Sequence, residues 1–294
     1  MSDAAETEAP AAGQHSPHLE EHERDQAARV QLAGARVIHE VLREEGETEL
    51  RRSVGALAWS GLAAGLSMGF SFLTLGLLHV ALQGTSAAEV VAPVGYSVGF
   101  VIAVLGKQQL FTETTLTATL PLMLSPTVAG FGRLARMWAV VLATNLIGTF
   151  AFAWLVSQAG VMRPDVAKAL LETAKESFTQ TFITGATRAM FSGWLIALMV
   201  WLMPATGSAA VFVIVALTYV VSLSGFPHII AGSTEASYAV LNGAATIGDY
   251  GWRFLAPTLL GNVVGGTALA ALLNHAPVAH DFAANDQKAD KKRG

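Results

Sequence analysis

Between residues 54 and 275 the chain is a series of long apolar runs separated by short polar stretches. A helix needs about 20 mainly apolar residues to cross a bilayer. The pattern predicts a span near 54–82, a second region over 88–124 and a third span over 133–158. A fourth span follows over 178–203, then a fifth region over 207–242 and a sixth span over 252–273. The second and fifth regions are too long for one crossing, and each is interrupted near its middle. Gly106–Thr115 (GKQQLFTETT) puts polar groups between the apolar runs 91–105 and 116–124. Ser222–His228 (SLSGFPH) contains Gly225 and Pro227, which break helices. Irregular backbone in a bilayer leaves N–H and C=O groups unpaired unless it is buried in protein or lines a wet cavity. For either break taken alone, one kinked helix is the plainer alternative.

The ends are polar. Residues 1–53 carry twelve acidic and six basic side chains, against seven acidic and eight basic over the whole of 54–275. The division is therefore a polar extension (1–53), a membrane body (54–275) and a polar tail (276–294). Ser16-Pro17 offers a helix start, and Val30, Val37, Ile38, Val41 and Leu42 form a loose apolar stripe. The extension is expected to be partly helical, and its stripe suits docking on the cytoplasmic face; a solvated tail is the alternative. Arg51 and Arg52, Arg133 and Arg136, and Lys288, Lys291, Lys292 and Arg293 fall on one side of a six-span topology. The positive-inside rule makes that side, and both termini, cytoplasmic. The opposing stretches 84–90 and 243–251 carry no Lys or Arg, whereas 159–177 is mixed in charge.

Composition agrees: 52% hydrophobic, 14% charged, mean hydropathy +0.47, against about 25% charged for a soluble domain. The absence of cysteine excludes disulfides, a thiol nucleophile and a Cys metal site. A net charge of −4 points to no nucleic acid or other polyanion, and no cofactor motif is present.

Asn145-Leu-Ile-Gly148 in the third span recurs as Asn262-Val-Val-Gly265 in the sixth, 117 residues on. Thr112 in the first break lies 116 residues before His228 in the second. Two halves of three spans follow. An odd number of spans inverts one half relative to the other, the plan of many transport proteins. The small residues Gly261, Gly265 and Gly266 suit close helix packing.

With Leu110-Phe111-Thr112, Gly225-Phe226-Pro227-His228 and Gly261-Asn262-Val-Val-Gly265-Gly266 in this order and spacing, the chain resembles the formate/nitrite transporter family over about 54–275. The acidic extension is similar to one branch of it. The resemblance implies an all-α integral membrane protein with six transmembrane helices in two inverted three-helix repeats, the second and fifth broken, on an aquaporin-like plan. It implies an inner-membrane homopentamer with one pore per protomer, passing small monovalent anions such as formate, nitrite or hydrosulfide. It assigns His228 and Thr112 to the pore and Tyr96, Phe100, Leu110, Ile196 and Val221 to its apolar constrictions. Two positions depart from the family's pattern: Gly193 stands where many formate channels have Asn, and Pro227 where they often have Glu.

The residues themselves allow this chemistry. A small anion entering a dry pore loses hydration, so fixed donors must replace water or a proton must neutralise the charge. Half-helix N-termini supply N–H groups. Thr112 adds a hydroxyl, or simply caps its helix. An imidazole near its ordinary pKa serves as donor or proton carrier, so protons are expected as co-substrates at His228. The bland alternative for a lone membrane histidine is a helix–helix hydrogen bond. Lys107, Glu113, Arg188 and Glu235 are charges inside the body and should face water or protein, near the path or as structural pairs of Lys107 or Arg188 with Glu113 or Glu235. A neutral-solute or water channel and a non-transporting scaffold or sensor are the competing classes; the chain has no Asn-Pro-Ala loops. An intramembrane hydrolase lacks its constellation, since His228 has no His or Asp within helical reach and there is no H-E-x-x-H.

Overall fold

A computed structural model describes residues 34–276. The helix start at Ser16-Pro17, Val30 of the stripe and the tail beyond 276 lie outside the described residues. Among the described residues all regular structure is helical. α1 (Ala35–Arg51) precedes the long α2 (Val54–Ala81). A short α3 (Ala88–Val91) and a 3-10 turn (Ala92–Tyr96) lead into α4 (Ser97–Leu105). Beyond the first break come α5 (Phe111–Thr117) and α6 (Leu120–Leu124), then the long α7 (Val128–Ser157). α8 (Pro164–Glu176) precedes α9 (Phe182–Thr206) and α10 (Ala210–Leu223). Beyond the second break α11 (Ala231–Leu241) leads to α12 (Ile247–Ala276), which contains π-helical turns at Tyr250–Leu255 and Gly265–Ala271.

Local chemistry sets several of these boundaries. Ser53, Thr127 and Thr181 cap α2, α7 and α9, each hydroxyl accepting from a backbone N–H three residues on. Gly225, at φ 59°, takes the left-handed turn that ends α10's extension. The first break is shorter than the sequence suggests. Helix resumes at Phe111, so Thr112–Thr115 belong to a half-helix and the irregular backbone is confined to 106–110.

Among the described residues five continuous stretches are long and apolar enough to cross a membrane: Val54–Ala81, Ala88–Leu105, Val128–Ser157, Phe182–Leu223 and Ile247–Ala276. The fourth has 42 residues, about twice a bilayer crossing, and a 3-10 turn at Gly207–Ala209 divides it into α9 and α10. Large apolar side chains face outward along it and its neighbours, among them Trp59, Phe131, Ile183, Phe212 and Trp252. The interior instead collects small and hydroxyl side chains, with Ser71, Thr112, Thr115, Thr149 and Ser192 fully buried. That distribution suits a protein whose solvent is hydrocarbon.

Two elements lie outside the apolar runs. α1 buries Ile38, His39, Leu42, Gly46 and Leu50 against the body. Val37 and Val41 of the expected stripe are exposed, because the docked face is centred one position further round the helix. α8 falls in the mixed-charge stretch 159–177 between the third and fourth predicted spans. Val166, Leu170 and Ala174, spaced four residues apart, make its buried face, and Leu170 packs on Gly76 of α2.

Candidate functional site

The two breaks meet at the centre of the molecule. Their irregular backbone is held by the two asparagines of the repeated motif. Asn145 of α7 accepts from Phe111 N–H (2.9 Å) and donates to the carbonyls of Gln109 (2.9 Å) and Gly61 (2.7 Å). Asn262 of α12 accepts from Ile229 N–H (2.8 Å) and donates to the carbonyls of Pro227 (3.2 Å) and Ala189 (2.8 Å), and to Ser192 Oγ (2.9 Å). A side-chain amide carries an acceptor oxygen and two N–H donors, so one neutral group can serve an N–H and two or more acceptors at once. Each asparagine thus satisfies an orphan N–H at the start of a half-helix and a carbonyl of the break before it. Sequence reasoning noticed these residues only as a repeat and as packing. An Asn inside an apolar span at matching offset was the available signal.

Across the centre Thr112 Oγ1 and His228 Nε2 lie 2.8 Å apart, both residues buried. His228 Nδ1 accepts from Ala231 N–H at 3.2 Å. That leaves the ring proton on Nε2, which donates to the threonine hydroxyl. The imidazole therefore caps α11 and bridges to α5. Phe100 packs against it in a T-shaped contact, ring centroids 5.0 Å apart, and Tyr96 follows at 5.4 Å from Phe100.

Two cavities approach this centre from opposite ends of α9. One, of about 310 Å³, reaches Tyr96, Val221 and His228, and also touches Arg188 near the start of α9. The other, of about 540 Å³, reaches Leu110 and is bounded by α1 and by Val200–Pro204 near the end of α9. Phe100, Thr112 and Ile196 border neither cavity and are fully buried between them. All seven residues assigned to the pore or its constrictions are buried; Tyr96, Val221 and His228 border the first cavity and Leu110 the second.

The four charges do not pair as expected. Among the described residues no ion pair joins Lys107 or Arg188 to Glu113 or Glu235. Lys107 reaches back to Glu45 of α1 at 3.2 Å. Arg188 donates to Ser224 O of the second break at 2.6 Å. Glu235 accepts from Ser177 Oγ at 3.3 Å, and Glu113 Oε1 has no hydrogen-bond partner among the described residues. Placement keeps Arg188 from Glu113 and Lys107 from Glu235, which border different cavities, and within each cavity the cation is turned to another partner, Arg188 to Ser224 O and Lys107 to Glu45.

α1 closes around the first break. Glu49 accepts from Gln109 Nε2 and from Thr117 Oγ1, both at 2.9 Å. Burial pushes its carboxyl above the ordinary range, and these two hydrogen bonds oppose the shift. Arg136 of α7 ties α1 down by donating to Leu50 O at 2.9 Å.

Gly193 is where two helices touch. A Cβ there would lie 2.4 Å from Asn262 O and 2.6 Å from Asn262 Cα, so no larger side chain fits the backbone contact of α9 with α12. Pro227 contributes its carbonyl, which accepts from both Ser192 and Asn262.

Broken helices meeting at a buried polar bridge between two cavities define a membrane channel or transporter. The sequence model of the formate/nitrite transporter family matches residues 36–276. The chain is 38% identical over 288 residues to the inner membrane protein YfdC of Escherichia coli K12, covering 95% of this chain and 93% of that protein. It is 24% identical to the formate channel FocA of the same organism, over 70% of this chain and 80% of that one. A solved FNT family ion channel matches with a TM-score of 0.71 at 19% identity, over 80% of this chain and 96% of that one. A solved pentameric formate channel with formate bound matches with a TM-score of 0.59 at 18% identity, over 79% and 96%. The chain belongs to the formate/nitrite transporter family.

Proposed function

We propose that this protein is a channel or transporter for small monovalent anions of weak acids, of the formate, nitrite or hydrosulfide type. The observation that carries the reading is the Thr112–His228 bridge, buried between cavities that approach it from both sides. An ion at that point meets a hydroxyl and an imidazole N–H within an apolar sleeve of Phe100, Ile196, Leu110 and Val221. Both groups are neutral donors, and a naked anion in such a sleeve is costly. Passage with a proton, as the neutral acid, lowers that cost. Tyr96 and Val221 narrow one side of the bridge and Leu110 the other.

The topology that goes with this function has six crossings. α4 with α5 and α6 makes the second, and α10 with α11 makes the fifth. The matching bonds of Asn145 and Asn262 support an inverted repeat of three-helix halves. Their partners set its register: Phe111 answers to Ile229, and Gln109 to Pro227. In that register Thr112 and His228 are not counterparts; they touch because the two half-helices meet. The inner membrane, cytoplasmic termini and a homopentamer complete the proposal. They are supported by the arginines flanking the spans, by the name of the relative YfdC and by the pentameric formate channel of the same fold. The polar extension up to residue 53, the channel body to 275 and the tail are its three parts.

The test is flux in proteoliposomes for formate, nitrite, hydrosulfide, lactate and chloride across a pH series. Uptake of at least one weak-acid anion, strongly reduced in His228→Ala, is the expected result. No flux of any small anion at any pH would overturn the reading and favour a scaffold or sensor. Passage of water or glycerol without anions would favour a neutral-solute channel.

A further inference from the structure

We infer that Glu235 is a charge selector: its protonated form opens the cavity of Tyr96 and His228 to anions, and its ionised form closes it. The inference rests on the anion-pore reading above. Glu235 lies seven residues beyond His228 on α11, two turns along the same face, and both border the same cavity of about 310 Å³. The carboxyl therefore borders the cavity through which an anion would reach the bridge from this side.

The neighbouring groups make its charge decisive. α9 contributes Arg188, whose guanidinium is half-buried and bonded only to the neutral carbonyl of Ser224. α12 contributes Arg253, which is turned to Asp249 at 3.4 Å and to the carbonyl of Phe178. The end of α8 contributes the exposed Glu176, and the residue after it, Ser177, is the hydrogen-bond donor to Glu235. Tyr96 and His228 are uncharged, the imidazole because its Nδ1 accepts a backbone N–H. α2 presents only Leu75, and α7 borders the cavity with no residue. The half-buried charges are then Arg188 and Glu235. Ionised, Glu235 sets a negative charge in the half-buried wall of the cavity; protonated, it leaves Arg188 as the half-buried charge there and offers an O–H donor to the anion. A low-dielectric cleft focuses such a one-charge change.

The same geometry shows why the switch sits here and not at His228. Charging the imidazole requires its Nδ1 to give up the bond from Ala231 that caps α11. Ionising Glu235 breaks no hydrogen bond, because the Ser177 hydroxyl donates to a carboxyl oxygen that accepts in either form.

The experiment is formate exchange in proteoliposomes with equal pH on both sides, comparing Glu235→Gln with the unaltered protein from pH 5 to pH 8. Taking the ratio of the two rates at each pH removes the titration of formate itself. The glutamine is isosteric and keeps an acceptor for Ser177. The ratio is expected near one at pH 5 and to rise about tenfold by pH 8, the scale of one unit charge in a focused cleft. Glu235→Asp should keep the pH response of the unaltered protein. A ratio that stays flat, or a glutamine variant that loses flux at every pH while the aspartate keeps it, overturns the selector. Absence of flux in the unaltered protein would instead defeat the anion-pore reading.

Discussion

The two breaks are fixed by the same amide chemistry and differ in what surrounds them. At the second, Ser192 and Arg188 of α9 add bonds to the carbonyls of Pro227 and Ser224. All of that support comes from inside the membrane body. At the first, Ser60 of α2 accepts from Gln109 N–H, and the other added bonds run from Lys107 and Gln109 to an amphipathic helix outside the body, through Glu45 and Glu49. One break is thus braced by the core, and the other is partly braced by a docked element that carries the buried Glu49 carboxyl. The contrast separates a permanent joint from one that solution conditions can reach.

The sharpest way to break this comparison is to remove each asparagine. Asn145→Ala leaves Phe111 N–H and Gln109 O buried without a replacement; Asn262→Ala leaves Ile229 N–H, while Ser192 still holds Pro227 O. Each loss should cost about 3 kcal/mol or more, since buried polar groups are left unpaired. Asn145→Ala should be the worse by about 1 kcal/mol. Thermal unfolding in detergent checks both, and equal losses would mean that Ser192 adds nothing.

A smaller effect concerns α1. The Glu49 carboxyl sits above its ordinary range when docked, so ionising it opposes docking. Its contribution is full below about pH 4.3, the free carboxyl value, and is lost as pH rises through the docked value. Hydrogen exchange of residues 35–51, corrected for the intrinsic rate at each pH, should show protection falling over that rise. Residues 231–241 beyond the second break should show no such trend. Smallest of all is Lys107→Ala. The Lys107–Glu45 pair is largely exposed, so its removal should change stability by about 0.5 kcal/mol or less. A loss comparable to that of the asparagines would make α1 as integral as the core.

Much of this arrangement could be read in the linear pattern. Apolar runs of bilayer length, the two interruptions and the paired Asn-x-x-Gly motifs located the spans, Thr112 and His228. The partners of the charges could not be read. Glu45 and Glu49 are more than fifty residues from the break they clamp, and nothing local marks them among the many acids of the extension. α8 was legible in the spacing of Val166, Leu170 and Ala174 but was masked by its mixed charge. Gly193 looked like a missing donor, whereas the contact with Asn262 makes it a packing position.

The chain by itself determined what must be buried from water and where helices cannot continue, because hydropathy and helix-breaking are properties of neighbours in sequence. Tertiary structure alone decided which polar groups meet. A hydrogen bond such as that between Thr112 and His228 needs two elements brought within 3 Å. Which amide, carboxylate or guanidinium satisfies an orphan group depends on how α1, α7, α9 and α12 pack around the breaks.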